Sequence, residues 1–102
     1  MIWQEELGNL FGGYVNQQTL DEAAERMVVV SEDNAEYHRR FLATLDEGVA
    51  ACRRGDAVAL QLVNRSGYRA NTIQEALDLV TGLRAAYLGR YEQAVQRTGR
   101  NE

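Results

Sequence analysis

The chain has 102 residues, 45% of them apolar and 25% charged, a balance that suits one globular domain and excludes a disordered chain. A formal charge of −4 without a single lysine speaks against nucleic-acid binding, which needs many cations along one phosphate backbone. One cysteine excludes an intrachain disulfide, and no run approaches the roughly 18 apolar residues of a membrane span.

Proline is absent and good helix formers dominate, so the chain predicts an all-α single domain over residues 1–102, a compact bundle of about five helices. The first helix is expected from Ile2 to Phe11, with Trp3, Leu7, Leu10 and Phe11 on one face and Gly12-Gly13 ending it. Thr19-Leu20-Asp21-Glu22 has capping-box spacing and opens a second helix, whose apolar face is Leu20, Ala23, Ala24, Met27 and Val28. Val28-Val29-Val30 is β-branched, but no second such run exists to pair with it, so helix is the better reading.

Ser31 is expected to cap the third helix, with Glu32 and Asp33 in its first turn, where acids suit the dipole. Tyr37, Phe41, Leu45, Val49 and Cys52 recur along it at helical spacing, and Gly55 stops it. Asp56 can cap a short fourth helix carrying Val58, Ala59, Leu62 and Val63 and closed near Gly67. Thr72-Ile73-Gln74-Glu75 reads as a second capping box, opening the longest helix on a stripe of Ile73, Leu77, Val80, Leu83, Tyr87, Tyr91 and Val95. From about Arg97 the tail is polar and is expected to fray.

Little in this chain resembles catalytic machinery. His38 and Cys52 are the only residues of their kinds, fourteen positions apart, so on one helix they stand roughly 21 Å from each other. His38 is expected at the surface, and Cys52, on an apolar stripe, as a small buried hydrophobe. No Glu-x-x-His pair or metal-ligand spacing is present, and Gly12-Gly13 lacks a phosphate-binding pattern. The carboxylate pairs Glu5-Glu6, Asp21-Glu22, Glu32-Asp33 and Asp46-Glu47 are sequence neighbours, which diverge by about 100° on a helix rather than sharing a site. The expectation is a non-enzyme without cofactor or metal.

Charge is distributed unevenly. Residues 1–51 hold ten acids against Arg26, Arg39 and Arg40, a formal −7, while residues 52–102 hold five acids against eight arginines, a formal +3. An acidic half suits a basic partner and speeds encounter with it. A specific interface covers roughly 800 Å² per partner, about a seventh of the roughly 5,800 Å² that a folded chain of this mass exposes. Tyr14, in the polar stretch Tyr14-Val15-Asn16-Gln17-Gln18 that no apolar stripe claims, is a candidate aromatic anchor beside Asp21, Glu22 and Glu25.

The segment Leu7-Gly8-Asn9-Leu10-Phe11-Gly12-Gly13-Tyr14-Val15-Asn16-Gln17 resembles the opening of a family of small helical immunity proteins from contact-dependent growth inhibition systems. The likeness continues through Leu20-Asp21-Glu22-Ala23 and Leu42 to Leu45, and returns at Gly67-Tyr68 before the last helix. Members usually follow the glutamine with an acid and a tryptophan. Here Gln18 and Thr19 stand instead, and Asn16 follows a valine rather than an aromatic residue. The resemblance implies a cytosolic protein that binds the C-terminal toxin domain of a delivered effector, a nuclease with a basic active site being the expected class. Tyr14, Asp21, Glu22, Glu25, Glu32, Asp33 and Glu36 are the expected toxin-binding face. Direct nucleic-acid or membrane binding is not expected. Weak homodimerisation is compatible with this reading, and the alternative is a regulatory helical module that dimerises through the Tyr87/Tyr91 edge.

Overall fold

The computed structural model describes residues 2–16 and 18–98. Along them run α1 (Trp3–Asn9), a π-helical turn (Leu10–Val15), α2 (Leu20–Ser31), α3 (Ala35–Arg53), α4 (Ala57–Val63), a 3-10 turn (Asn64–Ser66) and α5 (Ile73–Thr98). No strand occurs among the described residues, and the architecture is the expected all-α bundle.

With 26 residues rising 1.5 Å each, α5 extends about 39 Å and sets the 41 Å long axis of the molecule. Helices α2, α3 and α4 lie against it, and α1 packs on α3 and α4. Leu7, Phe11, Val15, Met27, Leu45, Val63, Val80, Leu83 and Tyr87 are fully buried between them. The accessible surface, 5784 Å², matches the roughly 5,800 Å² of a compact monomer of this mass. Gly48 lets three helices meet closely, because a β-carbon there would lie 3.2–3.3 Å from Leu7 of α1 and 3.3 Å from Val80 of α5.

Local signals fix most helix starts. The Thr19 hydroxyl accepts from Glu22 N–H at 3.0 Å while the Glu22 carboxylate accepts from Thr19 N–H at 3.0 Å, so both arms of the box are made. Asp56 caps α4, accepting from Val58 N–H at 3.0 Å. Gly55, at φ +77°, follows α3 as a glycine in the left-handed region commonly does. At α5 the box is half made: Thr72 accepts from Glu75 N–H, but the Glu75 carboxylate takes the N–H of Asn71 instead.

Two boundaries differ from expectation. Gly12-Gly13 does not stop the first helix; the chain widens there into the π turn, whose closing bond runs from Asn16 N–H to the Phe11 carbonyl at 2.9 Å. Burial of Leu10, Phe11 and Val15 outweighs the low helix propensity of the glycines. Nor does Ser31 cap α3. It ends α2 with its side chain buried and its Oγ 2.8 Å from the Tyr87 hydroxyl, while Asn34 takes the cap by accepting from Glu36 N–H at 3.1 Å. Both residues suit a cap, and Tyr87 claims the first.

His38 is likewise not a plain surface residue. Its Nδ1 lies 2.6 Å from the Tyr87 hydroxyl, and its ring stacks on Tyr91 at 3.8 Å and 12°. Burial, helped by the charge of Arg39, lowers its pKa, whereas burial pushes Tyr87 up to about 12. Cys52 is 3% exposed, in keeping with a small hydrophobe, and burial raises its thiol pKa. The predicted frayed tail falls partly outside the described residues, α5 continuing to Thr98.

Candidate functional site

Helix α2 carries the expected acids on its outward side because its inward side is spent on the core. Ala23, Ala24, Met27, Val28 and Ser31 are buried, and at 100° per residue they occupy one stripe. The remaining positions form three rows by the same geometry. Asp21 and Glu25, with Glu32 at the C-cap, lie on the α5 flank; Glu22 and Val29 form the outermost ridge; Arg26 and Val30 make the third row, from which Arg26 reaches the π turn.

On the α5 flank, the Arg90 guanidinium holds Asp21 through two bonds, one of them from Nε at 2.8 Å, and approaches Glu25 at 3.4 Å. The hydrogen bonds from Arg90, reinforced by its charge, keep the Asp21 carboxyl below its usual range. Glu25, Glu32, Val28, Val29, Arg90 and Gln93 line a depression of about 340 Å³ there. On the ridge, Glu22 is committed to the capping box, whose hydrogen bonds lower its pKa. Beyond α2, Asp33 lies in the turn rather than in the first turn of α3, and Glu36 pairs with Arg39 at 3.3 Å.

Tyr14 stands apart from these acids. It lies in the π turn, not in a loop, half-buried with its ring edge-on to Phe41 at 5.7 Å and 80°. Arg26 connects the two regions: its guanidinium donates to the Tyr14 carbonyl at 3.4 Å and lies 5.8 Å from the ring centroid. Tyr14 instead shares a cleft with Glu6, Asn9, Leu10, Tyr37, Arg40, Phe41 and Thr44. Burial, with Tyr37 nearby, raises the Tyr14 pKa.

Two features of this face lie outside the expected acids. Val29 is 69% exposed and Val30 37%, an apolar pair amid the acids. Reading Val28-Val29-Val30 as helix puts only Val28 on the apolar face, which already leaves Val29 and Val30 outside it. Arg90 is the other, and its partner Asp21 is 69 positions away, a separation no local pattern spans. The Tyr87/Tyr91 edge offers much less surface than expected, since Tyr87 is fully buried and Tyr91 is stacked on His38.

Among the described residues no three His, Cys, Asp or Glu side chains are grouped so as to hold a metal ion, and no helix is long and apolar enough to cross a membrane. No protein-family model, curated protein or solved structure matches the chain.

Proposed function

We propose that this chain is an immunity protein that binds and neutralises, in the cytosol, the C-terminal toxin domain of a contact-dependent growth inhibition effector, the toxin being a nuclease with a basic active site. The chain itself performs no chemistry. The observation that carries this reading is the outward side of α2 and the turn that follows it: Val29 and Val30 exposed near Asp21, Glu22 and Glu25 on the helix and Glu32 and Asp33 in the turn. β-Branched residues at exposed helix positions cost propensity, and Val29 leaves most of its side chain uncovered in the monomer, so a partner that covers it gives it a use. The surrounding carboxylates suit a cationic surface evolved to hold phosphates, and would steer its approach.

The test is co-purification with the protein encoded immediately upstream, followed by kinetics with its C-terminal domain. Glu25→Lys with Glu36→Lys leaves both helix caps intact and should slow association about tenfold or more in low salt. The difference should shrink sharply in 0.5 M salt, where screening acts over only a few ångströms. An upstream product that does not bind, or a double reversal that leaves association unchanged at low salt, would remove the proposal.

A further inference from the structure

The cleft between the π turn and α3 has a composition that the acidic face does not explain. Its floor is Phe41, 7% exposed, and its walls are Tyr14, edge-on to that ring at 5.7 Å, and Tyr37, tilted on it at 6.3 Å. Arg26 lies 5.8 Å from the centroid of Tyr14 and Arg40 the same distance from that of Tyr37. Glu6, the carboxylate in the lining, is bound to Arg40. The cavity measures about 180 Å³, room for one large side chain.

We propose that this cleft is an anchor pocket for a single aromatic side chain projecting from the protein partner. The proposal rests on the reading of the chain as a protein-binding module and adds where the partner is gripped. Three features of the lining select the occupant. First, the lining charges are spent on each other, Glu6 on Arg40, so the interior favours an uncharged group over a partner's lysine or arginine. Second, rings packed at 80° and 40° present edges and faces on which a further ring packs better than an aliphatic chain. Third, tyrosine and arginine are the residues enriched at interface hot spots, and Tyr37 remains 41% exposed although it belongs to the apolar stripe of α3.

The backbone supports the same assignment. Tyr14 reaches the cleft only because the chain runs through a π turn across two glycines and then leaves it at Asn16, a non-glycine residue at φ +26°. Wide turns and left-handed residues of this kind are disfavoured locally and cluster at functional sites. Arg26 and Arg40 stand beside the two tyrosines of the cleft, and the neighbouring Glu36 is paired with Arg39, so the charges nearest the pocket disfavour a cationic occupant and leave it to a neutral ring.

The test uses the full chain, labelled with nitrogen-15, and titrates it with side-chain analogues while amide shifts are followed. p-Cresol and indole represent aromatic anchors, isoamyl alcohol an aliphatic one and butylguanidinium a cationic one. The ring probes should saturate in the millimolar range with shifts centred on residues 9–14 and 37–44, at least tenfold tighter than the other two. Tyr37→Ala removes an exposed wall and should weaken p-cresol about tenfold. Tyr14→Ala should do the same, and if that variant fails to fold, Tyr37→Ala decides alone. Shifts elsewhere, equal or tighter binding of butylguanidinium or isoamyl alcohol, or a Tyr37→Ala variant that binds p-cresol as tightly as the parent would overturn the proposal. Ring binding in the cleft without capture of the upstream toxin keeps the pocket and removes the toxin; capture of the toxin without ring binding removes the pocket alone.

Discussion

Removing one oxygen atom from the core should be among the most damaging conservative changes available to this protein. The Tyr87 hydroxyl lies 2.8 Å from Ser31 Oγ and 2.6 Å from His38 Nδ1, and so ties α2 and α3 to α5 at one point. Tyr87→Phe keeps the ring and its packing but deletes both bonds. Each is worth about 1 kcal/mol net, and the Ser31 hydroxyl, 0% exposed, would stay buried without that partner, so the expected loss is about 2–3 kcal/mol. For a domain of this size that lowers Tm by on the order of 8–20 °C. Urea unfolding followed by far-UV circular dichroism measures the free energy directly. The cycle with Ser31→Ala sharpens the argument: the double variant should cost about 1 kcal/mol less than the two singles added, because the orphaned hydroxyl is gone. A Tyr87→Phe variant within about 0.5 kcal/mol of the parent, or strict additivity with Ser31→Ala, would refute the account.

The same cluster sets a pH window. Because burial lowers the His38 pKa, the unfolded chain binds the extra proton more readily, so this contribution is present above about pH 6.5 and is lost as pH falls through the folded pKa. Because burial raises Tyr87 to about 12, its contribution is present below about pH 10 and is lost as pH rises toward 12. Urea midpoints taken across pH should show a plateau between these limits. The loss that sets in below about pH 6.5 should shrink in His38→Gln, and an unchanged loss there would sink the assignment. Two glycine substitutions should have opposite signs. Gly89→Ala, with nothing within 4 Å, should gain roughly 0.5–1 kcal/mol of helix stability. Gly48→Ala meets fully buried Leu7 and Val80, which have no room to retreat, and should lose about 1–2 kcal/mol; midpoints moving in the same direction would contradict this.

The helices were legible wherever a local signal was strong. Thr19, Asp56 and Gly55 act where their chemistry places them, because a cap or a left-handed glycine is decided within a few residues. The errors came from tertiary demands. Ser31 and Asn34 are equally good caps in isolation, and a tyrosine 56 positions away decides between them. Gly12-Gly13 reads as a break until the burial of Phe11 and Val15 on either side is known. For the candidate site, the outward placement of the α2 acids followed from periodicity, but the pairing of Asp21 and Glu25 with Arg90 did not. Tyr14 was expected beside the α2 acids, whereas its ring neighbours, Tyr37 and Phe41, lie on α3, a different helix that no local pattern brings to it.

Helix α2 is pinned to α5 near both of its ends, by Arg90 on Asp21 at the start and by Tyr87 on Ser31 at the finish, ten residues or about 15 Å apart. Arg90 and Tyr87 are three positions apart on one continuous helix, so both pins share a single rigid mount. A surface held in this way arrives at an encounter already in its bound shape. Docking on it would then forfeit little backbone entropy, and the strength of a complex would be governed by how slowly it comes apart rather than by how readily this face can be moulded.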